Sequence, residues 1–132
     1  MNEKVIPMAH TTRVGAVIFT GGKDRLAQFY EAVTGLTVSA KDDNVTVLAS
    51  DEFELVIHAL PGEPTNQAAL PGREAYVKPF FPVKSLSETR RRAAAFGGQL
   101  SPASEEWEAR GFRACEAIDP DGNPIQFRET AP

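Results

Sequence analysis

A single cysteine, Cys115, rules out any disulfide within the chain. Placed in a predicted strand, it reads as a buried, inert thiol and not as a nucleophile. The chain also lacks a run of about 18 apolar residues that could cross a bilayer as a helix. Its opening, Met1-Asn2-Glu3-Lys4-Val5-Ile6-Pro7, does not have the charged, apolar and then small order of a signal peptide, so a cytoplasmic protein is expected. Basic charge is in deficit: 14 Lys and Arg against 18 Asp and Glu give a net charge of −4, which disfavours binding to phosphate backbones. The one basic cluster, Arg90-Arg91-Arg92, falls in a predicted helix, where consecutive positions spread around the axis and read as a solvated face. No Gly-rich phosphate loop, serine-centred elbow or cysteine triad is present. Asp119, Asp121 and Asn123 alternate as in a calcium loop, but no bidentate glutamate follows at the required spacing, so a tight turn is the better reading.

What remains is an ordinary globular composition, 42% apolar and 24% charged. At 132 residues it suits one domain or two half-domains sharing a core. Arg13 to Thr20 reads as a strand. Leu26, Phe29, Tyr30 and Val33 then form the stripe of an amphipathic helix, which Gly35 stops. Strands are expected over Leu36 to Ala40, Val45 to Ala49 and Phe53 to Ala59, giving the order βαβββ. After a Pro- and Gly-rich connection over 61–74, the order begins again with a strand from Tyr76 to Pro82. Ser85-Leu86-Ser87-Glu88 has the spacing of a capping box for a second helix, with Leu86, Ala93 and Phe96 on its buried face and Gly97 at its end. Strands around Gln99 to Leu100, Phe112 to Ile118 and Pro124 to Arg128 complete the second unit. Gly35 and Gly97 stand 62 residues apart, and the same offset carries Val14 onto Tyr76. This pattern indicates a duplicated unit with modules at about 13–60 and 75–129, each sheet needing the other copy to cover it.

The run Asp119-Pro120-Asp121-Gly122-Asn123-Pro124-Ile125-Gln126-Phe127, taken with Phe29-Tyr30 and Gly35, resembles the vicinal oxygen chelate superfamily. That superfamily includes glyoxalases, extradiol dioxygenases, fosfomycin-modifying enzymes and bleomycin-resistance proteins. The resemblance spans about Arg13 to Glu129. It implies an α+β fold of two tandem βαβββ modules, whose mixed sheets form an open, barrel-like cup with helices outside, and it implies a homodimer. Metal-dependent members place ligands on the first and last strand of each module. The histidine some fourteen residues before the Phe-Tyr pair falls here on Gly15, and its repeat on Val77, with Tyr76 and Lys78 as neighbours. The last strands offer Glu54 and, where a glutamate is usual, Gln126. One position of four keeps its ligand, too few donors for a catalytic divalent ion.

Strand alternation places Glu54, Val56 and His58 on the cup face of their strand, and Gln126 on that face of the last strand with Pro124 and Arg128. His58 is a candidate ligand contact or general base. The lone Trp107, expected in a hydrophilic loop, is either a flat lid for a ligand or a cover for the barrel end. Glu116 would add a second carboxylate, making the cup attractive to a cationic guest unless Lys78 offsets it. His10, in the N-terminal segment, is expected to have no role. The ligand-binding set is therefore Glu54, His58, Trp107, Glu116 and Gln126. The sequence favours binding of a small organic molecule with no cofactor. The competing readings are a metal-dependent lyase or dioxygenase, a metal-free isomerase using Glu54 or His58, and an accessory module that recruits a partner.

Overall fold

The computed structural model describes residues 13–60 and 77–131. The start of the expected strand at Tyr76, the connection over 61–74, and His10 lie outside the described residues. The first unit runs β1 (Val14–Thr20), α1 (Lys23–Thr34), β2 (Thr37–Lys41), β3 (Val45–Ala49) and β4 (Phe53–Ala59). Its sheet has the order β1-β4-β3-β2, with β1 parallel to β4 and the other pairs antiparallel. The second unit runs β5 (Phe80–Val83), α2 (Leu86–Ala95), β6 (Gln99–Leu100), β7 (Trp107–Ala109), β8 (Phe112–Ile118) and β9 (Pro124–Thr130). Here β5 is parallel to β9, and β6 and β7 both pair with β8. A short 3₁₀ turn at Ala103–Glu105 separates β6 from β7, so together they fill the edge place that β2 fills in the first sheet. The two sheets thus repeat one topology, as expected of a duplicated unit.

Local chemistry sets the element ends. Gly35 takes a left-handed φ of 78° at the end of α1, a conformation cheap only for glycine. Ser85 caps α2 by accepting a hydrogen bond from the Glu88 amide at 3.1 Å. The reciprocal half of the capping box is not made, because the Glu88 carboxylate turns outward to Arg91 and Arg92. Thr89 joins Leu86 and Ala93 on the buried face of α2, while Phe96 is 42% exposed, against expectation, since the helix has ended before it. Strand β5 begins at Phe80, so Val77–Pro79 precede it as irregular chain.

One hydrophobic core serves both units. Phe29, Tyr30 and Leu26 of α1 pack with Leu48, Leu55 and Ile57 of the first sheet and with Phe81, Ile125 and Phe127 of the second. The opposite parity of each strand is left open on the far face of its sheet. Phe19 is 57% exposed there on β1 and Phe80 53% exposed on β5. No helix among the described residues is long and apolar enough to cross a membrane.

Candidate functional site

The face of each sheet turned away from the helices carries the expected site residues. On the first sheet, Glu54 and His58 share the outward parity of β4, flanking half-buried Val56. Glu54 lies opposite Gly15 of β1 and Ala49 of β3, neither of which offers a donor atom. Among the described residues the charged group that reaches it is Arg13, with Nη2 3.4 Å from Oε1. Gly15 is required here for a structural reason: a Cβ at that position would lie 2.2 Å from the Glu54 carbonyl oxygen. His58 is four residues further along the same strand, about 13 Å away at the usual rise of about 3.3 Å per residue. Glu54 and His58 therefore cannot grip one ion, whose ligand bonds are only about 2.0–2.2 Å long. The His58 Nδ1 lies 2.8 Å from the Ala59 carbonyl oxygen, and the ring sits beside Phe19 with centroids 5.3 Å apart. Because a carbonyl only accepts, the neutral ring carries its hydrogen on Nδ1 and leaves Nε2 as an acceptor.

On the second sheet the polar residues form a connected chain. Lys78 Nζ donates to Glu116 Oε1 at 2.5 Å, and Gln126 Nε2 donates to Glu116 Oε2 at 2.8 Å. Arg128 Nε in turn donates to Gln126 Oε1 at 2.6 Å. Gln126 lies directly between Glu116 of β8 and Phe80 of β5 in the sheet and is only 8% exposed. The partner of Gln126 across the parallel pair is thus Phe80, not Val77 as the 62-residue offset suggests, because that offset holds for the helix ends and drifts in the strands. Lys78 still reaches the site, through Glu116. Both Glu116 oxygens are engaged, so the expected attraction for a cationic guest is cancelled on this sheet.

Trp107 corrects the sequence reading. It lies in β7, paired with Ala114 of β8, and not in a loop. Its indole is 40% exposed and meets Phe112 edge-on with centroids 6.0 Å apart. The aromatic group continues to Arg128, whose guanidinium carbon stands 3.6 Å from the Phe80 ring centre and 4.2 Å from that of Phe112. Glu116, Gln126 and Trp107 are therefore drawn onto one sheet face, while Glu54 and His58 lie on the other sheet. The sequence reading has Lys78 and Arg128 as neighbours of the cup face but not as part of the ligand-binding set, and it gives Phe112 no role there. Strand alternation alone places Arg128 beside Gln126, but only the register shows which ring each cation meets.

Among the described residues, no three His, Cys, Asp or Glu side chains gather closely enough to hold a metal ion. The donor set at the two expected positions points the same way. An arginine stands beside Glu54, and Gln126 is an amide already tied to Glu116 and Arg128. The described residues at these positions do not fit a divalent metal.

Cys115 and Asp119 sit on the core side. The thiol is fully buried, and burial raises its pKa above the ordinary value, opposed by the Arg90 guanidinium whose Nη2 is 3.3 Å from the sulfur. Asp119 organises the turn before β9. It accepts from the Tyr30 hydroxyl at 2.6 Å, from the backbone amides of Asp121 and Asn123 at 2.9 Å each, and from Asn123 Nδ2 at 2.7 Å. Four donors occupy the carboxylate, so the Asp-Pro-Asp-Gly-Asn run is a structural joint, as the turn reading expects.

A family model described as a glyoxalase-like domain matches residues 16–127. No curated protein matches the chain. Among solved structures, a glyoxalase/bleomycin resistance protein from Albidiferax ferrireducens superimposes with a TM-score of 0.65 at 17% identity, covering 88% of this chain and 96% of that one. A glyoxalase/bleomycin resistance protein/dioxygenase family enzyme from Burkholderia phytofirmans gives 0.63 at 16% identity, with 88% and 96% covered. The fosfomycin resistance protein FosX from Mesorhizobium loti gives 0.59 at 10% identity, with 95% of each chain covered. At these identities the likeness is one of fold.

Proposed function

Because the chain belongs to the glyoxalase-like domain family, we propose that it binds a small organic molecule on the concave faces of its two sheets, without a catalytic metal. The observation that carries this reading is the fate of the two carboxylate positions. In the first sheet Glu54 faces a guanidinium, and in the second an amide replaces the carboxylate and is locked into a chain of hydrogen bonds. Neither arrangement leaves lone pairs converging on a common point. What the open faces do offer is aromatic and aliphatic surface, from Phe19 and Val17 on one sheet and from Phe80 and Trp107 on the other, with polar groups fixed among them, the composition of a small-molecule site.

These faces are half of a site. Apolar side chains this exposed on a sheet surface call for a cover, and a second copy of the chain supplies one of matching character, so the working form is a homodimer. The test of the binding reading is to release and identify what the purified protein carries. Denaturing mass spectrometry of protein exchanged into volatile buffer is expected to give a stoichiometric organic molecule, or one reloaded from a bacterial extract. Protein that recovers no organic ligand from the extract contradicts it.

A metal-free isomerase is the second reading, favoured by the Nε2 of His58. With Nδ1 tied to the Ala59 carbonyl, Nε2 is the ring nitrogen left to accept a proton, in a ring that packs beside Phe19. Under this reading His58→Gln abolishes turnover of the recovered ligand while leaving its affinity within a few fold. Unchanged ligand after prolonged incubation with the wild-type protein removes the reading.

A further inference from the structure

On the outward face of the second sheet, the rows of β7, β8 and β9 bring forward one carboxylate, that of Glu116, and it is spent twice. Lys78 neutralises one oxygen and Gln126 holds the other. Among the described residues, Arg128 then stands as a cation without a carboxylate. The ion pairs around it engage Glu116, Glu106 and Glu108 with Lys78, Arg90 and Arg113 instead. Its guanidinium is nevertheless fixed. Nε is anchored to Gln126 Oε1, and the plane is held against two rings, Phe80 at 3.6 Å and Phe112 at 4.2 Å. What a guanidinium secured by its Nε and its faces still presents is the fork of its two Nη groups.

A second guanidinium reaches the same ring. The turn between β7 and β8 has left-handed φ values at both Arg110 (44°) and Gly111 (88°), the geometry of a two-residue hairpin loop. It holds Arg110 with its guanidinium carbon 5.1 Å from the centre of Phe112. Trp107 meets Phe112 from the neighbouring strand, and Trp107, Ala114, Arg128 and Pro82 form one row across the sheet. Flat aromatic surface and positive charge with no carboxylate partner among the described residues thus occupy the same few residues. A half-buried cation without a counter-charge is an unfavourable arrangement that an incoming anion relieves. The planar fork of arginine matches the two oxygens of a carboxylate.

We propose that this cluster is a subsite for the carboxylate of a small aromatic acid, gripped by the Nη fork of Arg128, with its ring against Trp107 and Phe112 and with Arg110 adding to the attraction. The assignment rests on reading the open sheet faces as the ligand surface. It narrows the ligand to an anion, the reverse of the cationic guest that two carboxylates in the cup, Glu54 and Glu116, would favour.

The test uses the full chain and the fluorescence of Trp107, the only tryptophan. Benzoate, benzamide and benzylammonium share a ring and differ in charge. Benzoate is expected to give a saturable change in the millimolar range or tighter, with an affinity at least about tenfold above that of benzamide, and benzylammonium is expected to bind more weakly still. Arg128→Gln should weaken benzoate about tenfold or more with little effect on benzamide. Arg128→Lys, which keeps the charge and loses the fork, should fall between. Should Arg128→Gln fail to fold by circular dichroism, Arg110→Gln on the exposed turn carries the test, with an expected loss of about threefold. The assignment is overturned by equal affinity for benzoate and benzamide, by a preference for benzylammonium, by no saturable response to benzoate, or by variants that bind benzoate as well as the wild type. Each of these outcomes leaves metal-free binding to be judged separately, by the molecule recovered from the extract.

Discussion

Tyr30 of α1 donates its hydroxyl hydrogen to Asp119, 89 residues later in the chain, at 2.6 Å. Both side chains are buried, and the bond ties the helix of the first unit to the turn that launches β9 of the second. Beside it, Asp121 accepts from Thr20 at 2.5 Å and from Arg25 at 2.8 Å, so β1 and α1 are fastened to the same turn. This joint sets how the two sheets stand relative to each other. It lies behind the face that carries Glu116, Gln126 and Arg128.

Removing one donor from a buried carboxylate should be expensive. Tyr30→Phe is expected to lower the unfolding free energy by about 1.5–3 kcal/mol, the range for hydrogen bonds to charged groups. Asp119→Ala should cost more, because it also leaves two backbone amides and the Asn123 side chain without their acceptor. Urea unfolding followed by circular dichroism measures both, and a Tyr30→Phe protein as stable as the wild type would show that the bond contributes nothing net.

The same carboxyl gives a pH dependence with a definite sign. Burial raises the Asp119 pKa above its ordinary value of 3.8, outweighing the donors from Tyr30, Asn123 and Asp121 that lower it. The native state then holds the proton more tightly than the unfolded chain, so this group's contribution to stability falls as pH rises from 3.8 through the folded pKa. Compared with Asp119→Asn, which does not titrate there, the wild type should lose relative stability across that interval. Unfolding curves taken at stepped pH check this. A gap that moves in the wild type's favour with rising pH would mean that the four donors outweigh burial.

Two glycines should resist substitution for reasons of space. A Cβ on Gly15 would lie 2.2 Å from the backbone oxygen of Glu54, and one on Gly98 would lie 2.3 Å from the Phe29 ring and 2.8 Å from the Ile118 carbonyl oxygen. Gly15→Ala and Gly98→Ala are each expected to destabilise by about 1–3 kcal/mol, as overpacking does. Gly15→Ala should also loosen the pairing of β1 with β4, read as faster amide exchange in β1. Full stability in both variants would contradict the packing described.

The exposed sheet faces lead to an expectation for assembly. Light scattering on a sizing column should give twice the chain mass for the wild type, and Phe19→Asp, which puts a charge on an apolar face, should shift the protein towards monomer. A wild type that runs as a monomer at all concentrations would contradict pairing across these faces.

Much of this fold is legible in the sequence because local signals and long-range pattern agree. Gly35, the Leu26-Phe29-Tyr30-Val33 stripe and the Ser85 cap mark both helices, and alternation in β4, β8 and β9 gives the correct faces for Glu54, Glu116 and Gln126. Trp107 was misread because β7 is only three residues long and its Glu-rich surroundings carry the composition of a loop. Phe96 was misread because its place in the helical stripe fits a helix one residue longer than the one that forms. The site on the second sheet was half legible. Parity puts Arg128 beside Gln126, but the stacking on Phe80 and Phe112 depends on the pairing of β5 with β9 and of β8 with β9, which no short stretch of sequence encodes.

The central claim, that the two sheets present too few converging donors to hold a divalent ion, is tested most directly by metal retention. Purified protein is incubated separately with nickel, zinc, manganese and ferrous iron, desalted, and assayed by elemental mass spectrometry. The account predicts well under one ion per chain for every metal, with no change in Glu54→Ala. One ion per chain, lost on replacing Glu54, would contradict it.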